Sequence, residues 1–443
     1  MHIQRRTTPR WLILVPIGVL ILIAGALALA RGRPRLADTF PDPGAVAVPG
    51  LAPVRLTFSR PMNRESVAQN LRFQPAVPGD LFWEGNTLTF TPSQPWPAGE
   101  TITVTLGSGA RASAGLPLAE TQAWSFRAAP TLLAYLWPAD GDPNLFTLDP
   151  ASGNTFQLTD TGGVLDYSLS PDGLTIYFSV QNGQGGADLW RLDRLSGQAQ
   201  PWILCREQLC SAPQPSPDGT YLAYENTSRV EISLVPLHDN APRLPNLKGV
   251  RPLWSSQGLL AYYNPDQAAY LIFDPASGET RTFPNETGEP GDWAPDGAAF
   301  VTIEIFPASE AQPFPVSHLL SFLPVNGIIT NLSNLDDVED SSPAFSPDGA
   351  WLAFARKFLS PDRWTPGRQL WLMRPTGGEA FPLTDAPLYN HSAFAWHPDG
   401  KQIAYVRSNQ ATFSEPPEIW LIDIEQRQPL RLVIGGFAPR WIP

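Results

Sequence analysis

Five copies of a Pro-Asp-Gly turn, each followed by a short β-branched or aromatic run, restrict this chain more than any other feature. They are Leu169-Ser-Pro-Asp-Gly173, Pro215-Ser-Pro-Asp-Gly219, Trp293-Ala-Pro-Asp-Gly297, Phe345-Ser-Pro-Asp-Gly349 and Trp396-His-Pro-Asp-Gly400, with a degenerate copy at Trp254-Ser-Ser-Gln-Gly258. The six glycines are spaced 39 to 52 residues apart, a period that belongs to propellers and solenoids. Proline presets φ for the first turn position, and Asp-Gly is expected to supply the positive-φ residues of a tight hairpin. Runs such as Ile176-Tyr-Phe-Ser-Val180 and Ile403-Ala-Tyr-Val-Arg407 read as strands. A further strand signal follows each hairpin, as in Gln369-Leu-Trp-Leu-Met-Arg374, then a turn such as Asp274-Pro-Ala-Ser-Gly278 and an outer run such as Phe381-Pro-Leu-Thr384. Four antiparallel strands per repeat make one propeller blade, whereas a plain β-sandwich would not keep that order.

Second strands are expected near Leu132, Thr175, Tyr221, Leu259, Ala299, Trp351 and Gln402, so the count is seven, or six if one repeat is irregular. The run at Leu132 has no inner strand before it, and a spare one, Gly435-Gly-Phe-Ala-Pro-Arg-Trp441, lies at the C-terminus. Pairing the two would close the ring and remove its open edges. Trp254, Trp293, Trp396 and Trp441, with Phe345, are expected to pack between blades.

The chain of 443 residues, with 49 prolines and 35 glycines, reads as all-β and multidomain. Three segments are expected: a tail and anchor over 1–37, a β-sandwich over 38–129 and the propeller over 130–443. Residues 1–37 carry six arginines and no acid, leaving 24 basic against 42 acidic side chains, most of that excess on the propeller. Such a surface repels phosphate backbones, so nucleic acid is excluded as a partner; it suits cationic partners, or solubility alone. Trp11 to Ala30 is free of charge, and twenty helical residues span ~30 Å, the apolar thickness of a bilayer. This helix (11–30) is read as an uncleaved anchor with the bulk of the chain extracytoplasmic at the cell membrane. Ala28-Leu-Ala30 leaves open a cleaved signal peptide and a secreted protein.

Residues 38–129 hold the segments Phe58-Ser-Arg-Pro-Met62, Trp83 with Leu88-Thr-Phe-Thr-Pro92, Gly99 with Thr101-Ile-Thr-Val-Thr-Leu106, and Trp124-Ser-Phe126. They resemble the bacterial Ig-like domain first associated with S-layer proteins, Ile102 replacing the usual aromatic. That resemblance implies a spacer or adhesion module. The Trp-Ser-Pro-Asp-Gly repeat, followed by an apolar strand, resembles the TolB-type, WD40-like propeller of exported bacterial proteins. It implies a docking surface in envelope assemblies, or a gate stacked on a hydrolase domain.

Chemistry has few seats. There is no G-x-S-x-G elbow, and His2, His238, His318, His391 and His397 lack metal-ligand spacing. No catalytic residue, metal or cofactor is expected, and the turn aspartates Asp172, Asp218, Asp296, Asp348 and Asp399 are expected to bond their own backbone. Cys205 and Cys210 lie five apart and are candidates for a disulfide in an exported protein. Binding is expected on the face with the longer loops, Lys357–Gln369, Ser408–Glu418, Asn334–Ser342 and Thr384–Ser392 among them. The candidates there are Asp336, Asp337, Glu339 and Asp340, with Phe358, Arg363, Trp364, Tyr389 and His391. The leading expectation is a non-catalytic, membrane-tethered scaffold that docks a protein or envelope partner. An enzyme, carbohydrate-active or other, with a site in the propeller funnel, and a structural envelope component, are the alternatives; converging funnel carboxylates would favour the enzyme.

Overall fold

The computed structural model describes residues 33–309 and 313–443. The expected helix over 11–30 lies outside them; no helix among the described residues is long and apolar enough to cross a membrane. The chain separates into two compact units, Met1–Ala129 and Pro130–Pro443.

In the first unit, strands Leu36–Phe40, Val54–Phe58, Thr87–Pro92 and Gly79–Glu84 form one antiparallel sheet, and Leu71–Gln74, Thr101–Leu106 and Gln122–Arg127 form another. Alternation fills the interior: Ile102, Val104 and Leu106 are fully buried, as are Val54 and Leu56 on the facing sheet. Trp96 joins Phe73, Phe90 and Phe126 in an aromatic cluster, its indole N–H donating to the Ala52 carbonyl at 2.9 Å. Two features depart from the sequence reading. A strand begins at Leu36, inside the segment assigned to the tail. A short helix, Arg64–Asn70, precedes Leu71–Gln74; the Asn63 side chain caps it by accepting from the Ser66 N–H at 2.9 Å.

Beyond Pro130 the described residues form seven four-stranded antiparallel sets, the fifth and sixth joined by one parallel bridge, Ser317↔Glu339. In the first set the inner position is taken by the C-terminal strand Phe437–Ile442, which pairs with Leu132–Trp137 in the register Trp441↔Leu133. This strand order, closed by the end of the chain, is that of a β-propeller.

The hairpin repeat works differently from the expectation in one respect. Glycine alone takes positive φ, 68° at Gly349 for example. The aspartate bonds its own backbone, as expected: Oδ1 of Asp172, Asp218, Asp296, Asp348 and Asp399 accepts the N–H two residues on. In three repeats the preceding serine also donates to that carboxylate, at 2.5–2.6 Å.

Each junction between neighbouring sets carries a polar clasp across the inner strands. Indole N–H groups make four of them: Trp254 to the Gln214 carbonyl, Trp293 to Leu253, Trp396 to Ala344 and Trp441 to Ala395, each at 3.0 Å. Where tryptophan is missing, other groups serve. The Tyr167 hydroxyl donates to the Ala438 carbonyl, and Asp166 and Asp292 accept the N–H of Ala212 and Phe345. A buried main-chain group at a blade junction must find a partner, and these side chains supply it.

Candidate functional site

The two faces of the propeller differ in chemistry because they use different connections. One face carries the Pro-Asp-Gly hairpins and the turns between third and fourth strands. It bears Asp149, Asp172, Asp193, Asp218, Asp274, Asp296, Asp348, Asp399 and Asp423, so every set contributes one or two turn aspartates to it. The opposite face carries the longer loops. Exposed there on the last three sets are Phe306, Leu335, Trp364 at 54%, Leu388 and Phe413 at 83%.

The expected binding residues lie on or beside this second face, but not all on loops. Strands Val338–Phe345 and Tyr389–Trp396 begin earlier than expected, so Glu339, Asp340, Tyr389 and His391 sit on inner strands. Asp340 is fully buried, a correction to its assignment as a surface acid. Its oxygens accept from Arg356 Nε at 2.7 Å and Nη2 at 2.6 Å, and from the Ser333 hydroxyl at 2.6 Å. His391 is buried as well, against Tyr405, with Nδ1 donating to the Arg368 carbonyl at 2.8 Å. Burial pulls its pKa down to about 4, keeping the ring neutral. Phe358 is buried under the Arg363 guanidinium, 3.2 Å from the ring centroid. These three cannot meet a partner directly, because each is consumed by intramolecular packing.

The others remain accessible to differing degrees. Glu339 is half-buried and bonds Arg368 at 2.6 Å and Lys357 at 3.5 Å. Lys357 lies 5.6 Å from the Trp364 ring, holding that exposed indole on charged neighbours. Tyr389 is half-buried beneath Arg407, which is sandwiched between Tyr389 and Trp420 and paired with Glu418 at 3.0 Å. Asp336 is exposed; Asp337 is half-buried and its carbonyl accepts the Leu359 N–H. Phe306, Leu335, Leu388 and Phe413 were not among the sequence candidates; Phe306 ends a strand, and for the other three the only available signal was an apolar residue inside a connecting loop.

Elsewhere on the loop face, Cys205 and Cys210 are joined in a disulfide. It closes a loop clamped onto the neighbouring hairpin: the N–H groups of Cys205 and Arg206 donate to Asp188, and the Asn182 amide donates to the Arg206 carbonyl. Gly186 permits this approach, since a Cβ there would stand 2.2 Å from the Arg206 carbonyl oxygen.

Two further carboxylates, Asp166 and Asp292, stand on inner strands, and the Arg440 guanidinium acts electrostatically on both. Burial raises both, Asp292 to about 6, against the lowering effect of the N–H groups they accept. Because the folded state holds this proton more tightly, the Asp292 contribution to stability is greatest below about pH 4 and is lost as pH rises through 6. Asp292→Asn should therefore flatten the pH dependence of chemical denaturation between pH 4 and 6 and raise stability at pH 7 by up to about 3 kcal/mol. An unchanged pH profile would show that the carboxylate titrates as an ordinary surface acid. No group of three or more His, Cys, Asp or Glu side chains suited to a metal ion occurs among the described residues.

The bacterial Ig-like domain family matches residues 30–128. This region is similar to that family from before its first strand to the end of its last. No curated protein matches the sequence. Among solved structures, TolB from Acinetobacter baumannii is 14% identical, with 79% of this chain and 81% of that one covered, at a TM-score of 0.45. The β-propeller domain of the Trilobed protease from Pyrococcus furiosus is 10% identical over 77% of this chain and 97% of that one, at 0.47. Hydrazine synthase from Kuenenia stuttgartiensis is 18% identical over 60% and 78%, at 0.44. The propeller assignment rests on the strand order and the closing register.

Proposed function

We propose that this chain is a non-catalytic scaffold in which a seven-bladed propeller docks a protein partner through its loop face. One observation carries the reading: five exposed apolar side chains, Phe306, Leu335, Trp364, Leu388 and Phe413, share one face of three successive sheets. Isolated exposed apolar residues need no explanation, but a set concentrated on one face of a rigid scaffold is the usual mark of an interface. The partner is a polypeptide with an apolar patch, for which Trp364 is the central anchor. In this reading the charge-free apolar run 11–30 tethers the protein to the cell membrane, the Ig-like region that begins at the Leu36 strand and ends at 129 acts as spacer, and 130–443 is an extracytoplasmic head. A hydrolytic funnel is the weaker reading, since Asp166 and Asp292 already accept main-chain N–H groups from adjoining sheets.

Photo-crosslinking in the native cells tests the placement. A photoreactive residue at position 364 should give a discrete adduct, reduced about tenfold by Phe413→Asp, a loss of about 1.4 kcal/mol. The same probe at the exposed Phe156, on an outer strand, should give none. Equal adducts at both positions, or none at 364, would refute the docking face.

A further inference from the structure

Two cavities border positions where the inner-strand tryptophan is replaced. The residue ahead of the hairpin is tryptophan at 254, 293 and 396, and Trp441 stands at the matching point of the closing strand. It is leucine at 169, proline at 215 and phenylalanine at 345. A cavity of about 220 Å³ borders Leu169 and Pro215, and one of about 650 Å³ borders Phe345. A six-membered ring fills less of the junction than an indole, and it has no N–H to draw the neighbouring set closer.

The larger cavity lies between the fifth and sixth sets on the hairpin face. Its apolar wall is made by Phe345, Leu323, Leu332 and Ala294, and Asp296 and Asp348 stand at its rim. Each aspartate uses Oδ1 for its own turn, accepting from Ala298 N–H in one case and from Ser346 and Ala350 in the other. In both, Oδ2 is left over. The Ser346 hydroxyl bond holds the Asp348 carboxyl below its usual range, so it is ionised at neutral pH. A mostly apolar recess of several hundred Å³ with a few converging polar groups is the ordinary form of a small-molecule site. Here two of the polar groups are anionic, beside the hydroxyl side chains of Ser321, Thr330 and Thr376, on a face whose turns add seven more aspartates.

We propose that this cavity is a binding site for a small organic cation, an apolar body carrying an ammonium group. The body lies against Phe345 and Leu332, and the ammonium faces the Oδ2 atoms of Asp296 and Asp348. This site is on the opposite face from the protein-docking surface, so the two stand or fall separately.

Titration calorimetry on the full chain with phenethylamine, phenethyl alcohol and phenylacetate as probes tests it. The amine should bind about tenfold more tightly than the alcohol, and phenylacetate should not bind, as expected for a site with two carboxylates at its rim. Phe345→Trp should fill the recess and abolish amine binding. Asp296→Asn, which keeps the turn acceptor, should bring the amine down toward the alcohol. Amine and alcohol binding equally, or amine binding unchanged in Phe345→Trp, would overturn the proposal. So would the absence of any heat with the amine on the unmodified chain, a result that does not depend on a variant folding.

Discussion

Arg356→Met lowers the unfolding free energy of the propeller by about 3–5 kcal/mol, because it leaves Asp340 charged and buried without its partner. The guanidinium is 3% exposed and the carboxylate 0%. Arg356 also donates to the Ser333 carbonyl at 3.2 Å and lies over the Phe354 and Trp371 rings, so its loss strands that carbonyl as well. Adding Asp340→Leu should recover most of the loss, since a well-packed apolar pair replaces a buried ion pair at little or no cost. Urea unfolding of the two single variants and the double variant measures this. A loss below about 1 kcal/mol in Arg356→Met would mean that the pair behaves like an exposed one.

Deleting residues 436–443 should do greater damage, removing more than the ~3–5 kcal/mol that loss of one large core side chain costs. The closing strand supplies the inner pairing of Leu132–Trp137, buries Ile442 beside Ile176 and Phe178, and provides the clasps at Ala395 and Tyr167. Without it Leu132–Trp137, an apolar run, becomes a bare sheet edge, and such edges pair with other chains. Calorimetry should show a broadened, lowered transition, and sedimentation should show association. Trp441→Phe is the mild counterpart: it keeps the strand and loses the hydrogen bond to the Ala395 carbonyl, worth about 1 kcal/mol. A truncated chain with unchanged sedimentation and an unchanged midpoint would show that ring closure contributes nothing.

Much of the fold could be read in the chain because each hairpin repeats one local solution. The Pro-Asp-Gly turns announce where inner and second strands meet, and the period counts the sets. The spare strand at Trp441 could be assigned to the set begun at Leu132 because an inner strand was missing there. The candidate docking face was legible only in outline. Loop length pointed to the side that also bears the exposed Trp364 and Phe413, yet the acidic run Asp336 to Asp340 crosses from an exposed loop into a strand within five residues. No local pattern in the run distinguishes Asp336, in water, from Asp340, sealed against Arg356.

The amino-acid order alone therefore settled what depends on neighbours in the chain: turns, strand alternation, the repeat and the uneven distribution of charge. Packing between sheets decided what depends on residues far apart in sequence: which carboxylates are spent on clasps at Ala212 and Phe345, and which aromatics remain bare at Trp364 and Phe413. It also decided that a cavity borders Phe345. The reason is that burial and hydrogen-bond satisfaction are set by whatever the neighbouring set brings up against a side chain, and that neighbour lies about forty or fifty residues away.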